Sequence, residues 1–149
     1  MADRPLVTLF VLAYRQQGFV RAAIEGAFAQ TWSPLEIILS DDASPDDTFR
    51  VMQEMAAAYS GPHEVVLNRN EKNLGLTAHV SRVMALATGG FVVQNAGDDV
   101  SHPERVARLV PVWQAGGGRV TAVHSGTRRL GEDGATAPYP PSAAATAGT

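Results

Sequence analysis

Leu6 to Tyr14 reads LVTLFVLAY, an uncharged run that ends at Arg15. A run of about nine residues is too short for a membrane-spanning helix, which needs about 20. Its nearly continuous apolar character instead predicts a central strand covered on both faces. Such a strand has to be sandwiched between helices, so the rest of the chain must supply amphipathic segments and further strands.

It does so in alternation. Residues 19–29 put Phe19, Ala23, Ile24, Ala27 and Phe28 on one helical stripe. LEIILS, 35–40, is a second apolar strand that runs into DDASPDDT. There Ser44 is placed to cap a helix whose first position is Pro45 and whose third is Asp47, with Phe49, Met52, Met55 and Ala56 inward. EVVL, 64–67, predicts a short strand, followed by a polar loop in which Gly75 can take a left-handed conformation. Thr77 to Ala87 predicts a helix with Val80, Val83, Met84 and Ala87 on its inner side, stopped by Gly89 and Gly90. FVVQ then delivers the chain to Gly97, Asp98 and Asp99. Ser101 and Glu104 have the spacing of a capping box before the stripe Val106, Leu109, Val110 and Trp113, and RVTAVH, 119–124, predicts one more strand. The expected organisation is an α/β domain with a mostly parallel sheet over 1–130 and a flexible Pro/Ala-rich tail over 131–149.

Composition narrows the function classes. The net charge is -3 and Lys72 is the sole lysine, which argues against a nucleic-acid partner. No cysteine is present, so disulfides and thiolate metal sites are excluded. With neither a signal-like nor a membrane-spanning segment in the sequence, cytoplasmic residence is the expectation.

In open parallel α/β sheets ligands gather at the carboxyl ends of the strands. Three polar groups fall there: Ala13, Tyr14 and Arg15 after the first strand, Asp41 and Asp42 after the second, and Gly97 to Asp99 after the fourth. Asp98 and Asp99 suit a hard cation such as Mg²⁺ or Mn²⁺, which takes one or two carboxylates together with phosphate oxygens and water. An acidic turn beside a helix N-terminus is the plainer reading of the same pair. Asp41 and Asp42 have the same two faces, a ligand acceptor or an Asx turn. Asp46 and Asp47 read as first-turn helix charge, and His79 as a hydrogen-bonded structural histidine. His124 and Ser125, at the end of the last predicted strand, are candidates for a crevice wall. A dinucleotide-binding dehydrogenase is disfavoured because AYRQQGF lacks the Gly-x-Gly-x-x-Gly turn.

VTLFVLAYRQQGFVRAAIEGAFAQTWSPLEIILSDDASPDDT, NRNEKNLGLTAH and VVQNAGDDVSHPERV, in that order and spacing, resemble the nucleotide-binding half of a family 2 glycosyltransferase of the GT-A type. The resemblance implies a Rossmann-like GT-A half that binds a nucleotide-diphosphate sugar, most often of UDP or dTDP, through Mg²⁺ or Mn²⁺. It implies that Ala13, Tyr14 and Arg15 border the nucleotide, that Asp41 contacts the base, and that Asp98, with Asp99 next to it, holds the metal. Ala96 stands where the family's Asp-x-Asp signature has its first carboxylate. Val80 and Ser81 stand where many members have an Arg-Asn pair. The family's catalytic base lies beyond the metal motif. Here only Glu104, Glu132 and Asp133 follow Asp99 as carboxylates, and none is a credible base. The expectation is therefore a truncated, donor-binding portion whose transfer of sugar to an acceptor hydroxyl needs a longer form. The alternative is a nonenzymatic remnant or interaction domain, open to self-association or to pairing with a missing C-terminal half.

Overall fold

A computed structural model describes residues 4–138. Four strands, β1 (Val7–Ala13), β2 (Leu35–Asp41), β3 (Glu64–Arg69) and β4 (Phe91–Ala96), form one parallel sheet in the order β3-β2-β1-β4. Each is followed by a helix: α1 (Val20–Phe28), α2 (Thr48–Ala58), α3 (Leu76–Leu86) and α4 (Arg105–Ala115). This is the Rossmann-like arrangement expected.

The apolar runs occupy the centre because only there is every side chain covered. All seven residues of β1 and all seven of β2 are buried. Leu9, Val11, Ile37 and Leu39 pack on the face carrying α1, α2 and α4, while Phe10, Leu12 and Ile38 meet Val83 of α3 on the other. Each fully buried Leu, Ile or Phe contributes about 1.5–3 kcal/mol of transfer free energy, so the two central strands dominate the fold's stability. Edge strand β3 is only partly covered. At the far end of the sheet buried Glu36, with no ion-pair partner among the described residues, accepts bonds from Thr8 Oγ1 (2.6 Å), Thr88 N (3.0 Å) and Thr88 Oγ1 (2.9 Å). Burial works to raise its carboxyl pKa, but these donors prevail and hold it below the usual value.

Several local expectations are corrected. Phe19 lies just outside α1 and is 62% exposed, and Val20 takes the inward place. In α3 His79 and Val83 are the buried positions and Met84 faces solvent. Ser44 does not cap α2, which starts at Thr48; Asp46 Oδ1 instead accepts from Thr48 N at 3.0 Å. Ser101 and Glu104 do not form a capping box, because Ser101 Oγ donates to Asn95 Oδ1 and Glu104 pairs with Arg108. Residues 119–124 form no strand: after the glycines at 116–118 the segment finds no ladder partner, and a strand without one leaves its backbone groups to water. His124 and Ser125 are exposed there and wall no crevice with a strand. Beyond it a small exposed hairpin joins β5 (Arg128–Leu130) to β6 (Thr136–Pro138). Within the segment expected to be a tail, 139–149 lies outside the described residues.

Candidate functional site at the sheet's switch point

The order β3-β2-β1-β4 means that successive strands run outward from β1 in one direction and then jump to its other side. The crevice outside the carboxyl ends of β1 and β4 is therefore the switch point where ligands bind such sheets. The strand exits stay aligned past the ladder itself: Gly97 N donates to Leu12 O at 2.7 Å, Asp42 N to Ala13 O at 3.0 Å, and Asn70 N to Asp41 O at 2.9 Å. Ala13 to Arg15, Asp41 and Asp42, and Gly97 to Asp99 are thereby brought to one end of the sheet.

Close approach of β4 to β1 depends on Gly97. A Cβ there would sit 2.8 Å from Ala13 Cβ, 3.1 Å from Leu12 O and 2.5 Å from Gln16 Oε1. Gln16 can swing away, but Ala13 and the Leu12 carbonyl belong to the central strand. Gly97→Ala is expected to cost about 1–3 kcal/mol through overpacking, and to move the acidic turn. Urea unfolding measures the first effect.

Asp41 is fully buried. Its Oδ2 accepts from Ser44 N at 2.9 Å and faces Arg69 Nε at 3.3 Å, while its Oδ1 is buried with no hydrogen-bond partner among the described residues. A bare buried carboxylate oxygen is costly unless a donor arrives. The second carboxylate has a different task. Asp42 Oδ1 accepts from Asn70 Nδ2 (2.7 Å) and Leu74 N (2.9 Å), and Oδ2 from Gly75 N (3.0 Å). Burial pushes its pKa up, but these bonds outweigh it and hold the group below the ordinary value, with the nearby His79 adding to the lowering. Gly75, at φ 79°, provides the left-handed turn that points two successive amides at this carboxylate. His79 approaches Ser40 Oγ at 2.6 Å, and burial drives its pKa down against the pull of Asp42 and Asp41. The structural role expected for His79 holds.

The first strand's exit is stitched to the second's. Backbone N–H groups of Arg15, Gln16 and Gln17 donate to Ser44 Oγ (2.9 Å), Thr48 Oγ1 (2.8 Å) and Asp46 Oδ2 (3.4 Å). Arg15 and Ala43 both hold positive φ, at 54° and 59°, so both strand exits turn in strained, fixed conformations. Three successive amides that in a dinucleotide fold would cradle phosphate are thus already occupied by side chains. The sequence reading missed this use of Ser44, Asp46 and Thr48. The alternate spacing of the three polar residues was its only local signal. Tyr14 and Arg15 are exposed beside this stitch.

Asp98 and Asp99 are exposed on the turn after β4. Asn95 Nδ2 holds that turn by donating to Asp99 O at 2.8 Å and Ala96 O at 3.1 Å. Among the described residues no group of three His, Cys, Asp or Glu side chains is placed to hold a metal ion. The donor set still fits Mg²⁺ or Mn²⁺, because such an ion takes one or two carboxylates and completes its shell with phosphate and water oxygens. Glu104 is paired with Arg108, and Glu132 and Asp133 lie on the exposed hairpin. Among the described residues no helix is long and apolar enough to cross a membrane.

Comparison with known proteins gives one answer. The sequence model of glycosyl transferase family 2 matches residues 8–140. EpsE of Bacillus subtilis (strain 168), a glycosyltransferase by name, is 32% identical over 110 residues, covering 74% of this chain and 39% of EpsE. The chain thus spans about two fifths of the length of that relative. Among solved structures, the mannosyltransferase PcManGT from Pyrobaculum calidifontis, in complex with GDP-Man and Mn²⁺, superimposes with a TM-score of 0.62 at 23% identity, over 66% of this chain and 29% of that one. Residues 1–349 of S. aureus TarS, in complex with UDP-GlcNAc, superimpose with a TM-score of 0.61 at 18% identity, over 68% of this chain and 29% of that one. At these identities the two structures establish the shared fold.

Proposed function

The chain belongs to glycosyl transferase family 2, and from that premise we propose that its switch-point crevice binds the nucleoside diphosphate of a sugar donor through a divalent cation. The observation that carries this reading is Asp41 Oδ1, buried and bare in the same row of strand exits as the exposed pair Asp98 and Asp99. Asp41 would accept a hydrogen bond from a ring N–H of the base. Ala13, Tyr14 and Arg15 would border the nucleotide, with the Tyr14 ring offering a stacking face. Asp98, with Asp99 beside it, would hold Mg²⁺ or Mn²⁺. That ion would neutralise the negative charge of the diphosphate leaving group.

This chain's own geometry supports a role for a cation. The amides of residues 15–17 are consumed by Ser44, Asp46 and Thr48, so they do not receive the diphosphate. A dianion next to two carboxylates is then tolerable only with a cation between them. Neighbours in complex with GDP-Man and with UDP-GlcNAc support a nucleotide-sugar ligand for this crevice. UDP or dTDP is the nucleotide we propose here. Transfer to an acceptor hydroxyl is assigned to a longer form of the protein, which would add the base that activates the acceptor.

Thermal unfolding with UDP, dTDP and GDP, each with Mn²⁺ or with a chelator, tests the proposal. Ligand at about 100-fold over its Kd adds about 2.7 kcal/mol to folding stability. UDP or dTDP is expected to raise the midpoint by several degrees only when Mn²⁺ is present. No shift with any of the three nucleotides would contradict the reading.

A further inference from the structure

The turn that carries Asp98 is held by a side chain from the strand before it. Asn95 is 4% exposed at the end of β4. Its Nδ2 donates to Ala96 O at 3.1 Å and Asp99 O at 2.8 Å, which are the carbonyls on either side of the Gly97–Asp98 corner. Its Oδ1 accepts from Ser101 Oγ at 3.0 Å and Arg105 Nη1 at 3.2 Å. Both amide protons and the amide oxygen's two lone pairs are therefore used, which fixes the side chain without freedom to rotate.

Arg105 holds the other end of the clip. Its Nη1 also donates to Ser101 Oγ at 3.0 Å, and its Nη2 to Gln94 O at 3.0 Å, so one guanidinium ties the start of α4 to the last turns of β4. A planar fork with fixed donor directions does this where a flexible ammonium would not. Burial lowers the Arg105 pKa. Asp98 has no cationic partner among the described residues.

We propose that Asn95 and Arg105 are positioning residues that hold the Ala96–Asp99 turn in the one shape that presents the Asp98 carboxylate to the divalent cation. The inference rests on the reading of Asp98 as a cation ligand given above. Neither residue touches the ion or the nucleotide; each acts through the turn. Groups that orient a metal ligand are typically worth about 10–100-fold in metal affinity.

Asn95→Leu keeps the branching and number of heavy atoms and removes all four bonds. Arg105→Met breaks the outer half alone, and Arg108→Met removes a cation from the same helix without touching the clip. Two readouts are taken on the full chain: calorimetric affinity for UDP in the presence of Mn²⁺, and amide exchange in the peptide spanning 95–101. Asn95→Leu is expected to weaken Mn²⁺-dependent UDP binding about 10-fold or more, and Arg105→Met by less, while Arg108→Met binds like the parent. Exchange in 95–101 should rise in the first two variants and stay unchanged within 91–93. If Asn95→Leu proves too unstable to purify, Arg105→Met carries the same test. Variants that bind with the parent's affinity and exchange at the parent's rate would overturn the clip while leaving the functional reading intact. A parent chain that binds no nucleotide with Mn²⁺ would overturn both.

Discussion

Replacing Asp98 by alanine is expected to abolish Mn²⁺-dependent nucleotide binding, a loss of about 100-fold or more, because removing a metal ligand exceeds the cost of disturbing a group that merely orients one. The fold should be untouched. Asp98 is exposed and no hydrogen bond or ion pair of its carboxylate is present among the described residues, so its removal leaves no buried group unsatisfied. Titration calorimetry with UDP and Mn²⁺, beside a thermal melt without ligand, separates the two effects. Asp99→Ala is expected to be milder, since Asp98 is the carboxylate proposed to hold the ion and Asp99 only stands next to it. Equal losses from the two substitutions would show that both carboxylates serve the ion equally.

The second large effect belongs to Asp42. Its carboxylate receives Asn70 Nδ2, Leu74 N and Gly75 N, and Asp42→Ala strands these donors in a part-buried setting. The expected cost is about 3 kcal/mol, or roughly 10 °C in the unfolding midpoint for a domain of this size. The pH dependence has a definite sign. The folded pKa of Asp42 lies below the unfolded value of 3.8, so its contribution is complete above 3.8 and is lost as pH falls through the lower folded value. Wild type and Asp42→Ala should therefore differ most near neutrality and converge in acid, which urea titrations at about pH 7 and about pH 3 would measure. A gap that stays constant across that range would mean that Asp42 acts through packing.

How far the sequence carried the reading depended on the range of the interaction. The four strands and four helices were legible because each is announced by its own apolar periodicity, as LVTLFVLAY and LEIILS show. The acidic clusters at strand ends were legible for the same reason, since the alternation implies parallel strands whose carboxyl ends share one edge of the sheet. The strand expected at 119–124 did not form, and local capping grammar failed as well. Ser44 has the spacing of a helix cap, yet its hydroxyl is taken by the amide of Arg15, a residue 29 positions away. Ser101 likewise serves Asn95 across the β4 exit instead of the helix it precedes. Phe19 sat on the predicted inner stripe but lies just before α1 begins, where the helical period does not yet apply. Polar residues that join two strand exits obey tertiary geometry, and no window of adjacent residues contains it.

The stitched exits also explain why a strand-and-crevice fold of this kind does without a glycine-rich phosphate turn. Arg15 and Ala43, each at positive φ, set the turns that follow β1 and β2. On the other side of β1, Gly97 lets the acidic turn come close to the central strand.

Location of the cation decides the account most directly. Mn²⁺ broadens nearby amide resonances, so a ¹⁵N-correlated spectrum of the full chain should be recorded with the nucleoside diphosphate that gives the largest thermal shift and a substoichiometric amount of Mn²⁺. Selective loss of the signals of residues 96–100 and 13–15, abolished by Asp98→Ala, is the result the account predicts. Broadening centred instead on Asp46 and Asp47, or spread evenly over the acidic surface, would contradict it.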